Sequence, residues 1–359
     1  MKTLKTYILI EHLKPFLLGL FVFAFILFMG NMGQLVKIVV TQREEAAVVL
    51  KLFLYLIPFI VSYSFPMAVL LSILLAFGRF NSDNEIVAIR ASGVNPVRLG
   101  AVVILFSLLL SLLCVRLNDR ILPRATYATR ELVASLGSRK PSIFLQPRAL
   151  IEDFENYVIY IRKVKGDRLY GIQIVRLMEE GLPTSIVAAI GEVLPGSHEG
   201  AITLKLMNGT IDEAELDQPH RYYRSSFREY YMDLKLPAQG GIISKRPKDM
   251  NIEELRDKIV EFQGKRIDTA PLLTEINRKL SLAFASLSFA LIAVPLALRL
   301  KKGGRSTGFG LSLFLIIIYY ALFTAGQALG EKGILPGISV WVPNILLGTS
   351  GCFLMWRAR

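Results

Sequence analysis

Pro15-Phe16-Leu17-Leu18-Gly19-Leu20-Phe21-Val22-Phe23-Ala24-Phe25-Ile26-Leu27-Phe28-Met29-Gly30-Asn31-Met32-Gly33-Gln34-Leu35-Val36 carries no ionisable side chain. A hydrocarbon layer about 30 Å thick needs roughly 20 apolar residues of helix to cross it, and this run supplies them. It is too long for the apolar core of a secretory signal and lacks an Ala-x-Ala-like exit. The same reading repeats at Leu52–Gly78, Leu99–Val115, Leu280–Leu298, Ser306–Gly330 and Leu335–Trp356. Six membrane helices are predicted, three before and three after more than 150 residues of different character. The 359-residue chain is 53% hydrophobic and only 20% charged, and its charges are segregated. A disordered chain, a fibrous repeat and a disulfide scaffold are excluded. Cys114 and Cys352 both lie inside apolar runs, where a thiol acts as a small hydrophobe.

Short loops set the orientation. Lys2, Lys5 and Lys14, then Arg79, Arg90 and Arg98, then Arg299, Lys301, Lys302 and Arg305, then Arg357 and Arg359 all fall on one side if the chain alternates. The opposite short loops hold Lys37, Arg43, Lys51 and Lys332 with Glu44, Glu45 and Glu331. The positive-inside bias then places both termini in the cytoplasm and residues 118–270 outside. The formal charge of +13 follows from this topology, so no nucleic-acid partner is expected.

The outside region reads as β structure. Tyr157, Ile159 and Ile161 alternate, and Gly166-Asp167 suggests a turn into Leu169–Val175. Ser185–Val193 is a further strand, and Ile202, Leu204 and Leu206 alternate with Thr203 and Lys205. Asn208-Gly209 carries the signature of a hairpin turn, since both residues tolerate positive φ. Phe227–Leu236 puts Tyr230, Met232, Leu234 and Leu236 on one face. A sandwich or jelly roll is expected at about 142–240. Helical flanks are expected at 119–136, from an Asn251 cap through Ile259, and from Thr269-Ala270-Pro271 into the fourth span. The domain plan is therefore 1–117, 118–270 and 271–359.

No Gly-x-x-x-x-Gly-Lys-Ser/Thr loop is present, and no Gly-x-Ser-x-Gly elbow or Cys–His pair. His12, His198 and His220 have no metal-ligand spacing, and no cofactor is expected. Glu152, Asp153 and Glu155 read either as a carboxylate pair or, more simply, as a solvated strand entry. The apolar runs hold no ionisable group, which argues against an ion-coupled carrier. A chain moving cargo would then need an external energy source.

The loop Arg79–Pro96 holds one short helix, at about 82–93. Ser82 and Glu85 have capping-box spacing, Ile86 and Ile89 share a side with Arg90, and Gly93 with Pro96 ends it. It reads as a connector on the membrane surface or as a coupling helix docking in a cytoplasmic motor.

Several segments together resemble the lipopolysaccharide-export permeases, the LptF/LptG pair of Gram-negative inner membranes, and lean to the LptF side. They are Leu13-Lys14-Pro15-Phe16-Leu17, Phe65-Pro66-Met67-Ala68, Ser82 through Gly93, Leu117-Asn118-Asp119, Leu122-Pro123-Arg124-Ala125, Val294-Pro295-Leu296-Ala297, Tyr319-Tyr320 and Trp341-Val342-Pro343-Asn344. The resemblance implies a non-enzymatic permease subunit paired with a second, homologous one and driven by a cytoplasmic ATPase dimer. It implies that lipopolysaccharide enters from the outer leaflet of the inner membrane, through gates at the first and fifth spans. The lipid would then pass to periplasmic jelly rolls, a bitopic jelly-roll protein and a soluble bridge protein. Under it, Lys37 and Arg43 are candidate phosphate contacts, Lys37 reading equally as a snorkelling lysine. Glu85, Ile86, Ile89 and Arg90 are candidates for ATPase contact. Ile159, Ile172, Ile202, Leu204, Met232 and Leu234 are candidates for an acyl-chain groove or ordinary core. The competing class is a membrane-anchored β-domain scaffold with no transport role.

Overall fold

The computed structural model describes residues 2–42, 46–139, 150–154, 157–165, 168–176, 184–195, 201–214, 222–235, 245–265, 267–299 and 304–357. The chain divides into two compact units. One is helical and gathers 1–37, 44–127 and 245–359; the other comprises 38–43 and 128–244.

The helices are α1 (Lys2–Gln42), α2 (Ala46–Ser82), α3 (Glu85–Ala91), α4 (Pro96–Arg116), α5 (Leu122–Arg139), α6 (Ile252–Gly264), α7 (Ala270–Arg299), α8 (Gly304–Glu331) and α9 (Val342–Trp356). A π-helical turn, Leu117–Ile121, joins α4 to α5. Pro15, Pro58, Pro66 and Pro295 lie inside helices, as membrane helices tolerate. Five helical stretches are long and apolar enough to cross a membrane: Thr3–Gly33, Ala47–Ser82, Arg98–Val133, Ala270–Arg299 and Ser306–Glu331.

The sixth apolar run differs from expectation. Leu335–Trp356 does not form one helix. Gly333, Leu335 and Gly337 adopt positive φ, so the run begins as turns. A 3-10 turn, Ser339–Trp341, follows, and only the 15 residues of α9 are α-helical. At 1.5 Å per residue α9 is about 22 Å long, short of the usual crossing.

α2 and α7 form the centre of the helical unit. Leu70, Ile73, Leu74 and Phe77 of α2 are buried with Leu282, Phe289, Ala290, Ala293, Val294 and Ala297 of α7. The small residues let the helix backbones approach closely, which is how helices associate without a hydrophobic driving force. α1 and α8 bury little of their apolar surface. Leu17, Leu18, Phe21 and Phe25, and Phe314 and Ile317, face outward. Exposed apolar surface of this extent belongs against lipid or another protein.

The second unit is a six-stranded antiparallel meander in the order β1 (Leu150–Phe154), β2 (Tyr157–Lys165), β3 (Arg168–Arg176), β4 (Thr184–Pro195), β5 (Ala201–Ala214) and β6 (Tyr222–Lys235). Each strand pairs with its sequence neighbour, so the Greek-key crossings of a jelly roll are not seen among the described residues. Gly166-Asp167 lies outside them. Asn208-Gly209 is not a hairpin: β5 runs straight through it, with Asn208 at φ 54°.

That position belongs to a row crossing the sheet. The ladder passes from Ile161↔Ile172 to Lys163↔Tyr170, from Tyr170↔Ile190 to Ile172↔Ala188, from Ala188↔Gly209 to Ile190↔Met207, and from Met207↔Glu229 to Gly209↔Phe227. Arg162, Gly171, Ala189, Asn208 and Arg228 are passed over each time. The inward side chains take a three-residue step at the same place: Ile161 to Val164, Leu169 to Ile172, Leu206 to Gly209 to Ile211, and Phe227 to Tyr230. Two successive residues therefore face outward on each strand, a departure from the pleat of the kind that bends a bulged strand. Gly171 sits there at φ +64°, where a Cβ would come 3.0 Å from the Arg162 Cβ. A recess of about 470 Å3 opens over the row, lined in part by Arg162, Gly171, Ala188, Asn208 and Phe227.

Candidate functional site

α3 is held at both ends, but not as its spacing predicts. Ser82 is the last residue of α2 and its hydroxyl donates to the Gly78 carbonyl at 3.0 Å. Asn84, at φ 57°, occupies the N-cap without a side-chain cap, so the expected Ser82–Glu85 capping box does not form. The ending is as expected. Gly93 at φ 80° lets its N–H reach Arg90 O (3.0 Å) and lets the Val94 N–H reach Ile89 O (3.2 Å), the paired bonds of a Schellman stop.

Within α3, Ile86 is buried in the main helical core and Ile89 packs against it. These side chains seat the helix on the bundle. The outward face carries Val87, 62% exposed, and Arg90. Glu85 turns to its own chain: the Tyr7 hydroxyl lies 3.2 Å from each carboxylate oxygen, and Arg79 Nη2 lies 3.9 Å away.

Lys37 lies on the last turns of α1, with its side chain outside the described residues, as is Arg43 altogether. Ile159, Ile172, Leu204, Met232 and Leu234 share one apolar cluster inside the sheet, all but Met232 fully buried. The Ile202 backbone pairs with Leu234, and its side chain is outside the described residues. The side chains of that cluster gather on one face of the sheet. Its rim is charged: Arg224 grips Asp212 at 2.7 Å and so holds that carboxyl below its usual range.

Sequence reasoning missed one cluster. The bundle is not free of ionisable groups, because α7 continues three turns N-terminal to Leu280 with Glu275, Arg278 and Lys279 all buried. Arg278 Nε and Nη2 each donate to Glu275 at 2.7 Å, and Nη1 donates to the Tyr63 hydroxyl at 3.2 Å. Lys279 Nζ lies 3.8 Å from Glu275 and donates to the Asn118 carbonyl at 3.4 Å. Asn118, inside the π turn, donates to the Lys279 carbonyl (3.1 Å) and accepts from Ser62 (2.5 Å). π turns recur at functional positions. One signal was available: positions 275, 278 and 279 continue the face of Leu282, Ser286 and Phe289 at helical spacing.

Motif residues of the last helices bond elsewhere, Asn344 and Trp341 to the opposite face of α7 around Ser281 and Asn277 and Tyr320 to α2. Asn344 donates to the Ser281 carbonyl at 2.8 Å, Tyr319 donates to Asn344 at 3.1 Å, and Trp341 donates to Asn277 at 3.1 Å. Tyr320 donates to the Tyr63 carbonyl at 3.0 Å. Such bonds hold helix to helix where water cannot compete.

The chain matches the family described as Lipopolysaccharide export system permease LptF/LptG over residues 6–357. It is 22% identical over 349 residues to the lipopolysaccharide export system permease protein LptF of Escherichia coli (strain K12), covering 95% of this chain and 91% of that protein. The protein of the same name from Shigella flexneri aligns with the same identity and coverage. Because the match runs unbroken through both halves of the helical unit and the sheet between them, this chain belongs to the lipopolysaccharide export system permease family LptF/LptG.

Proposed function

We propose that this chain is one permease subunit of an ATP-driven exporter in a bacterial inner membrane. It takes lipopolysaccharide from the outer leaflet and passes it, through its own periplasmic sheet, to a bridge leading to the outer membrane. The family match over residues 6–357 carries this reading. The outward apolar faces of α1 and α8 support it, since a second permease meeting those faces would enclose a lipid-sized space. Both termini are cytoplasmic in this reading, and α9 with the Ser339–Trp341 turn completes a sixth crossing. Lys37 and Arg43 would meet lipid phosphates at the outer interface. The bitopic jelly-roll protein and the soluble bridge protein receive the lipid from the sheet, whose apolar lining includes Ile159, Leu204 and Leu234.

ATP hydrolysis belongs to a separate cytoplasmic ATPase dimer. Val87 and Arg90 are the docking face of α3, while Ile86 and Ile89 anchor it. Depleting the chain and measuring surface lipopolysaccharide tests the function: surface lipid falls and lipid accumulates in the inner membrane. Normal surface delivery after depletion sinks the transport reading in favour of a scaffold. Val87→Asp with Arg90→Glu tests the docking face, and an undiminished yield of copurified ATPase removes that assignment.

A further inference from the structure

A cluster of polar side chains joins α1, α2 and α3 at the head of the bundle. Arg79 Nη1 of α2 donates to Glu11 of α1 at 2.7 Å, and Nη2 donates to the Tyr7 hydroxyl of α1 at 3.1 Å. That hydroxyl faces both oxygens of Glu85 on α3 at 3.2 Å. Asp83 stands 3.8 Å from Arg79 Nε. Arg79 is thus the cation among three carboxylates, and its planar fork reaches two α1 partners at once. Beneath it lies an apolar seat shared by the same three helices. Ile8, Phe77, Phe80 and Ile86 are each at most 3% exposed. The Tyr7 ring lies 5.9 Å from Phe80, the Arg79 guanidinium 5.2 Å above Phe80, and His12 edge-on to Phe77 at 5.1 Å. Farther along, α1 turns its apolar surface outward.

We infer that Tyr7 and Arg79 are positioning residues that fasten α3 to the head of α1, so that a displacement of α3 is delivered to α1. This inference rests on the transport reading above and adds the residues through which the stroke enters the chain. A short helix resting only on apolar contacts can slide over its seat. A hydroxyl and a guanidinium shared between α1 and Glu85 fix direction and register, because hydrogen bonds to charged groups are directional as well as strong. Arg79 stands on the well-packed α2 and serves as the fixed post on which the direct Tyr7–Glu85 contact between α1 and α3 is held.

The test uses the full assembly of both permeases and the ATPase in liposomes, with ATP turnover and lipid release measured on one sample. Tyr7→Phe keeps the ring on Phe80 and removes only the hydroxyl. Recruitment of the ATPase stays intact and ATP turnover stays within about twofold. Lipid released per ATP falls about tenfold, which corresponds to about 1.4 kcal/mol. Arg79→Lys does the same, since a point charge cannot hold Glu11 and Tyr7 together. Hydrogen exchange over residues 3–12 and 85–91 rises together in both variants. An unchanged ratio of lipid to ATP with unchanged exchange overturns the inference, as does faster exchange confined to α3. If the unaltered assembly turns over ATP without releasing lipid, the transport reading is what fails. The exchange measurement then still decides whether α1 and α3 are tied.

Discussion

Glu275, Arg278 and Lys279 allow a test in which removing more charge does less harm. Their side chains are 4%, 9% and 1% exposed, so each charge depends on its neighbours rather than on water. Removing one partner of a buried ion pair costs about 3–5 kcal/mol, whereas replacing the whole group by apolar residues is often neutral. Arg278→Met sits at the low end, about 3 kcal/mol, because Lys279 remains 3.8 Å from Glu275 to compensate it. Glu275→Leu sits at the high end, about 5 kcal/mol, because it strands two adjacent cations. The triple variant Glu275→Leu/Arg278→Met/Lys279→Leu returns to within about 1 kcal/mol of the parent. Unfolding in mild detergent, followed by the fluorescence of Trp341, reads this directly, since Trp341 bonds to Asn277 on the same helix at 3.1 Å. At tenfold per 1.4 kcal/mol, the two single variants differ by roughly thirtyfold in the folding equilibrium. A triple variant as unstable as Glu275→Leu, or costs that simply add, would refute the idea that mutual neutralisation holds this cluster.

Three further outcomes are expected. Gly351→Val destabilises the same transition by about 1–3 kcal/mol, because a Cβ at Gly351 would stand 2.4 Å from the Leu291 carbonyl oxygen; Gly348→Ala, facing only a Leu291 methyl at 3.9 Å, leaves it unchanged. Burial alone would raise the Glu254 carboxyl, but the Lys245 ammonium and the Asn251 N–H outweigh it and hold it below its ordinary 4.5. Its contribution to α6 is therefore complete above about pH 4.5 and lost as pH falls through the lowered value, and amide exchange of 252–259 rises there in the parent but not in Glu254→Gln. Gly171→Val costs about 1–2 kcal/mol, since φ is +64° and the new side chain meets Arg162, and it shows as faster exchange in β2 and β3.

Long-range periodicity was legible; the use made of local signals was not. The apolar runs mark the long helices, and Asn251 caps α6 as its sequence indicates, with reciprocal 2.8 Å bonds to Glu254. β2, β3, β4 and β6 lie where alternation puts them, and Tyr230, Met232 and Leu234 face inward as read. Asn208-Gly209 failed because positive-φ tolerance serves a crease as well as a turn, and only the neighbouring strands tell which. The Ser82 box failed because α2 continues four residues past the apolar run that ends at Gly78, turning the Ser82 hydroxyl back to the Gly78 carbonyl. Ile86 and Ile89 were legible as one face, but not as the face turned inward. The fourth apolar run is free of charge as read and the helix begins near Ala270 as expected, but hydropathy did not show that the charged turns ahead of the run, Glu275, Arg278 and Lys279, are buried in the bundle.

The transverse row in the sheet divides it into two arms whose inside–outside rhythm is out of phase by one position. Each arm keeps strict alternation, and the mismatch is absorbed at Arg162, Gly171, Ala189, Asn208 and Arg228. Deleting one residue at the row leaves that strand with an unbroken rhythm while its neighbours keep the three-residue step, so as long as it stays paired to them one whole arm turns its apolar set toward water. A deletion far from the row shifts only the residues beyond it. Tolerance to length change along β2–β6 is thus lowest at the sheet's middle, where the side chains are mostly exposed and burial alone would place it highest.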